Sequence, residues 1–135
     1  ISMWSVEHKV GRLVHVVVGS PFSMEDVEPM FQKLGRVMTA FEGRVVGCTD
    51  LRHATVLAPD VAAAVINFLR RDNPKIERSA FLVNDSALLG MQMTRILREA
   101  GNPSRRSFHD PDQAISWLIE VLNPAEQVEL RHFLR

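Results

Sequence analysis

Between residues 3 and 9 apolar and polar positions alternate, with Trp4, Val6 and His8 on one side and Met3, Ser5 and Glu7 on the other. That is the period of a half-buried strand. Val10-Gly11 turns the chain back, and the run Leu13 to Val18 reads as a second strand. The two predict an antiparallel hairpin whose pairing stops at Gly19-Ser20-Pro21, because proline has no N–H to donate. From Ser23 the period lengthens: Ser23 serves as a cap with Asp26 three residues on, and Val27, Phe31, Leu34, Val37, Met38 and Phe41 recur on one helix face. Pro29 falls inside that pattern, which predicts a loosened first turn or a helix start nearer Glu28.

The segment Arg44 to Asp60 comes next. Val45, Val46, Gly47 and Cys48 form a short apolar run leaving through Thr49 and Asp50, and its length and β-branching favour a strand. A loop then leads to Ala58-Pro59-Asp60, where Pro59 is pre-set for a first helical position although Ala58 has no side-chain oxygen to cap it. Val61, Val65, Phe68 and Leu69 form the inward stripe of that helix, which ends near Asp72-Asn73-Pro74, its Arg70 and Arg71 matching the dipole there. Ile76 to Val83 is a further strand. Asp85 or Ser86 caps the next helix, with Leu89, Met93, Ile96, Leu97 and Ala100 inward and Gly101 and Pro103 as stop signals. Met91 and Met93 both read as core filler. Arg105 to His109 is a short strand. Asp110-Pro111-Asp112-Gln113 is the strongest helix start in the chain, followed by Ala114, Trp117, Leu118 and Val121 as a docking face. Asn123-Pro124-Ala125-Glu126 repeats the signal for a terminal helix at about 124–135, bearing Val128, Leu130, Phe133 and Leu134.

The resulting order, β-β-α-β-α-β-α-β-α-α, predicts one α/β domain over residues 1–135: a mixed sheet with parallel crossovers, an antiparallel edge from the first hairpin, and helices packed on it. In such sheets ligands gather beyond the carboxyl ends of the parallel strands. Here those ends are Asp50 to Thr55 and Asn84 to Ser86, and the two segments are expected to be close in space.

Composition narrows the function classes. Sixteen basic and sixteen acidic side chains give a formal net charge of zero, so no overall field draws the chain to nucleic acid or an anionic membrane. The single cysteine, Cys48, cannot form an internal disulfide; it reads as a small buried residue and fits a reducing cytoplasm. No apolar run approaches the ~18 residues of a membrane span, so a soluble cytoplasmic protein is expected. Ile1 and Ser2 ahead of Met3 read as appended residues. His15, alone among valines, reads as a structural histidine; no metal-ligand spacing and no cofactor motif appears.

Three features together resemble the bacterial STAS-like group related to anti-sigma-factor antagonists. They are the opening strand pair, the Asp50-Leu51 that ends the central strand, and the FxDxxxAxxWL pattern of Phe108, Asp110, Ala114, Trp117 and Leu118. The likeness extends to about Leu122 and implies a STAS-like fold and a scaffold role. In those antagonists a serine at the next helix start is phosphorylated by a partner kinase. Aligned without gaps, the Asp-Ser pair of the family falls on Ala58 and Pro59, neither of which accepts a phosphoryl group, so the resemblance implies the scaffold without the switch. Thr55, the nearest hydroxyl, reads as a loop threonine bonding its own backbone.

Three functions follow as expectations. The first is a non-catalytic module recognised by a protein partner, with Asp50, Arg52, His53, Thr55, Asn84, Asp85 and Ser86 as the candidate rim; Arg52 reads equally well as an internal partner of Asp50 or Asp60. The second is a carrier of a small apolar ligand such as a lipid, of the CRAL-TRIO kind, in a pocket between helix and sheet. The third, catalysis through Asp50, His53 and Thr55 or Ser86, lacks any nucleophile elbow, phosphate loop, dinucleotide fingerprint or HExxH, so no enzyme is expected. Phe133 and Leu134 near the end of the chain raise the expectation of a homodimer.

Overall fold

The computed structural model describes residues 3–135; Ile1 and Ser2, and with them the reading of those residues as appended, lie outside it. Five strands, β1 (Trp4–His8), β2 (Leu13–Val18), β3 (Val45–Asp50), β4 (Ile76–Leu82) and β5 (Arg105–Phe108), form one sheet in the order β1-β2-β3-β4-β5. The hairpin β1–β2 is antiparallel and every later pairing is parallel. Helices α1 (Met24–Thr39), α2 (Pro59–Asp72), α3 (Ala87–Ala100), α4 (Pro111–Leu118) and α5 (Pro124–Phe133) make the crossovers and the end of the chain.

The pleat divides the core in two. Val45, Gly47 and Thr49 of β3 face the layer of α1, α2 and α3, while Val46, Cys48 and Asp50 face α4 and α5. The first side is the larger, built on Val14, Val16, Val18, Phe81, Met93 and Ile96; the second closes around Leu13, Cys48, Leu82, Leu118 and Leu130. The result is a three-layer sandwich in which β3, paired on both edges and covered on both faces, has no solvent side.

Several local expectations are corrected. Helix α1 starts at Met24, not near Glu28: the Ser23 N–H donates to the Asp26 carboxylate at 2.9 Å, which holds the first turn. Pro29 is tolerated because it and Glu25 are exposed, so water can reach the carbonyl left without an N–H. In α2, Ile66 is buried where Val65 is only half-buried. Met91 is 71% exposed, against its reading as core filler, and Val128, one of the apolar residues named on the terminal helix, is 70% exposed. Each stands two residues from a buried neighbour, Met93 or Leu130, and two residues turn a helix by about 200°. At α4 the Asp110 carboxylate caps the Asp112 N–H at 2.9 Å. The full reciprocal box forms instead at α5, between Asn123 and Glu126. Leu134 is buried and half-buried Phe133 stacks on His15 at 4.2 Å, so both pack onto the chain's own sheet.

Candidate functional site

The two loop segments expected to meet at the carboxyl ends of the strands do meet. Asn84 donates its side-chain amide to the carbonyls of Arg52 (3.0 Å) and Ala54 (2.9 Å), and its Oδ1 accepts the Ser86 N–H at 2.9 Å. Ser86 caps α3 by accepting the Leu89 N–H at 3.2 Å. Thr55 bonds Ser20, not its own backbone: its N–H donates to the Ser20 hydroxyl at 2.8 Å, and the two hydroxyls lie 3.0 Å apart. The β3–α2 loop is pinned on its far side by paired bonds between Leu57 and the Gln92 amide, both 2.8 Å. Most of the expected rim is thus spent on building the loops.

Asp50 and Arg52 are spent as well. The carboxylate takes the Arg52 backbone N–H, its Nε and its Nη2, each at 3.0 Å, and Nη1 goes on to the Leu134 carbonyl at 3.2 Å. The short link from Asp50 raises the Arg52 pKa, since the cation is what the carboxylate bonds. This is the internal pairing of Arg52 with Asp50, and it ties the end of α5 to the central strand. His53 and Asp85 alone of the expected set remain exposed without such a role. Cys48 is fully buried, and desolvation with the Asp50 charge pushes its thiol up to about 12, so it carries no nucleophilic thiolate at neutral pH. Among the described residues no group of three or more His, Cys, Asp or Glu could hold a metal ion, and no helix is long and apolar enough to cross a membrane.

What residue-by-residue reading missed lies under the sheet's other face. Val14, Gly47, Ser79 and Arg105 stand side by side across four strands, and Val16, Thr49, Phe81 and Ser107 form the next row on that face. Glycine and serine at the centre of the first row leave the sheet hollow there. Phe31 of α1 and Phe68 of α2, stacked at 4.1 Å, lie across from it. Between them is a cavity of about 90 Å³ whose walls are almost wholly apolar.

Arg105, Asp72 and Ser79 are the polar residues of note among those that line the cavity. Arg105 is 6% exposed and donates through Nε to Asn73 Oδ1 (2.9 Å) and through Nη2 to the Leu69 carbonyl (3.2 Å). Neither acceptor is charged, and no ion pair to Arg105 occurs among the described residues. Burial lowers its pKa to about 10, partly offset by Asp72, so it remains a cation at neutral pH. Asp72 spends Oδ1 on Arg71 at 3.5 Å, while its Oδ2 is buried with no partner. Burial raises the Asp72 pKa, and the charges of Arg71 and Arg105 pull against that shift. The sequence signal for this site was a glycine inside the β-branched run of β3, opposite a serine at mid-strand in β4.

No family model and no curated protein matches the chain. Among solved structures, it is similar to an uncharacterized protein of the DUF3478 family with a SpoIIAA-like fold from Shewanella loihica PV-4. The TM-score is 0.64 at 18% identity, over 85% of this chain and 91% of that one. The chain therefore has a SpoIIAA-like α/β fold, as its resemblance to the anti-sigma-factor antagonists implied. Identity this low carries the fold alone.

Proposed function

We propose that the chain is a non-catalytic binding module that encloses a small apolar ligand between the α1–α2 layer and the sheet. The observation that carries this reading is the hollow beneath Phe31 and Phe68, kept open by Gly47 and Ser79 in strands whose neighbours are valine and phenylalanine. A core under no demand for space gains stability by filling it. The cavity is smaller than the ~150 Å³ engineered site that admits benzene, so a compact ring or short branched chain enters only as the pocket expands and a long acyl chain does not fit. The hydroxyls and carboxylates once considered for catalysis are engaged in loop and cap bonds, which favours binding over turnover. Helix α2 begins at Ala58-Pro59, and we read the serine switch of the antagonists as absent. Buried, lone Cys48 suits a reducing compartment such as the cytoplasm.

Titration with benzene, followed by backbone amide shifts, tests the reading. Saturable shifts at Gly47, Ser79 and Phe81 are expected in the wild type and not in Gly47→Val, which fills the hollow from the sheet side. Absence of any saturable shift would sink it. A second reading has its own observation: Val56 (48% exposed), Leu88 (67%) and Met91 (71%) lie near one another at the loop end, beside the Leu57–Gln92 clasp. With exposed His53 and Asp85 they make a mixed apolar and polar rim suited to a protein partner.

A further inference from the structure

We infer that the ligand of this cavity is a small carboxylate, its apolar body under Phe31 and Phe68 and its anionic head at Arg105. This rests on the ligand-binding reading above and adds the head group. The argument starts from charge. Arginine is among the residues least often buried unless paired, yet Arg105 is 6% exposed and bonds only an amide oxygen and a backbone carbonyl. Its Nη1 takes part in neither bond, and the residue lines the cavity. A guanidinium presented to an apolar hollow without a direct counter-ion favours a planar anion that can meet it through parallel N–H donors.

A purely structural Arg105, tying β5 to the end of α2, is the competing account. It explains the bonds to Asn73 and Leu69. The nearby Asp72 charge also favours a cation there, but neither that nor the two bonds explains why the sheet is hollow beside it. Asp72 refines the prediction. It lines the same cavity, its Oδ2 is buried and unbonded, and its charge couples to that of Arg105, so a carboxylate arriving at Arg105 meets like charge. Removing that charge must therefore tighten binding of an acid, whereas a structural Asp72 has no reason to do so. A short, compact acid enters as the pocket expands; long-chain acids exceed it.

The test compares isovalerate with its uncharged isostere isovaleramide by calorimetric titration of the whole chain, with amide shifts at Gly47, Ser79 and Arg105 to place the site. The acid is expected to bind at least tenfold more tightly than the amide. Asp72→Asn should tighten the acid several-fold and leave the amide unchanged, and Arg105→Gln should erase the preference. Should Arg105→Gln fail to fold, the wild-type comparison and Asp72→Asn still decide. Equal binding of acid and amide at these residues would overturn the carboxylate assignment while the apolar pocket stands. Benzene and isovalerate both failing to bind would overturn the pocket itself.

Discussion

The carboxylate of Glu126, in the first turn of α5, accepts the backbone N–H of Arg12 at 2.6 Å, joining the end of the chain to the turn of its first hairpin. Its other oxygen accepts the Asn123 N–H at 2.8 Å, and the residue is 2% exposed. Arg12 completes the joint with Nη2 on the Val121 carbonyl at 2.9 Å and Nη1 on Glu77. Charge-assisted bonds of this kind are strong because the acceptor has no water to return to. Glu126→Ala should cost about 2 to 3 kcal/mol, read as a lowered urea midpoint with an unchanged slope. Gly11→Ala should be nearly as harmful: φ there is +56°, and a Cβ would clash with the Glu126 carboxylate. A neutral result for both variants would show that the joint adds nothing to stability.

Arg52→Ala should loosen α5 from the sheet. It removes the bond to the Leu134 carbonyl and leaves Asp50, 7% exposed, without its counter-ion. The expected loss is about 2 to 3 kcal/mol, below a fully buried pair because the arginine is partly exposed. Hydrogen exchange should rise first in the last turn of α5. Loss of any partner in this variant would therefore report stability, and Asp85→Ala is the cleaner probe of the rim.

His15 is 3% exposed, with Nε2 buried and unpartnered. Burial lowers its pKa below 6.5; nearby Glu129 and Glu7 oppose that shift, while Lys9 and His8 add to it. Above pH 6.5 the ring is neutral folded or unfolded, and its titration leaves stability untouched. As pH falls below that value the unfolded chain takes a proton that the folded chain resists, so stability drops until the folded pKa is passed. Urea midpoints should fall from neutral pH to about pH 5, and His15→Phe should flatten that slope. Asp72 cannot mimic this, because a carboxyl held above 3.8 makes stability fall as pH rises. An identical slope in His15→Phe would move the effect to other groups.

Cys48 should resist thiol reagents in the folded state and react at the rate of unfolding. Its sulfur is fully buried and its pKa is about 12, so closed molecules offer no thiolate. Alkaline titration should also destabilise the fold from about pH 9 upward, where the unfolded thiol ionises and the buried one does not. Labelling much faster than global unfolding would mean that the α4–α5 layer opens locally.

The element order, the antiparallel edge and the meeting of the loops at Asn84 could be read from periodicity and turn chemistry, because those signals are local. Alternation marks β1, Ser86 and Gly101 bracket α3, and Pro59 and Pro124 stand at first helical positions where their fixed φ helps. Helix faces were legible only in part. Val128 and Met91 are apolar residues on helices, and which side is inward depends on what lies opposite. In α5 the inward stripe includes a charged residue, Glu126, that no apolar pattern would place there.

The candidate site divides the same way. Residue type and loop position singled out Asp50, Arg52, Asn84 and Ser86, and these do come together, but as one another's partners. Whether a polar side chain is free or spent depends on contacts between residues far apart in sequence, such as Arg52 with Leu134 and Thr55 with Ser20. The cavity is more hidden still. Gly47, Ser79 and Arg105 are unremarkable in their own strands and become a hollow with a charge in its lining only when parallel pairing sets them side by side. The sequence by itself determined the elements, since helix and strand periods and caps act within a few residues. Only the tertiary structure decided which polar groups are satisfied and where space is left, because those depend on register and packing across the whole chain.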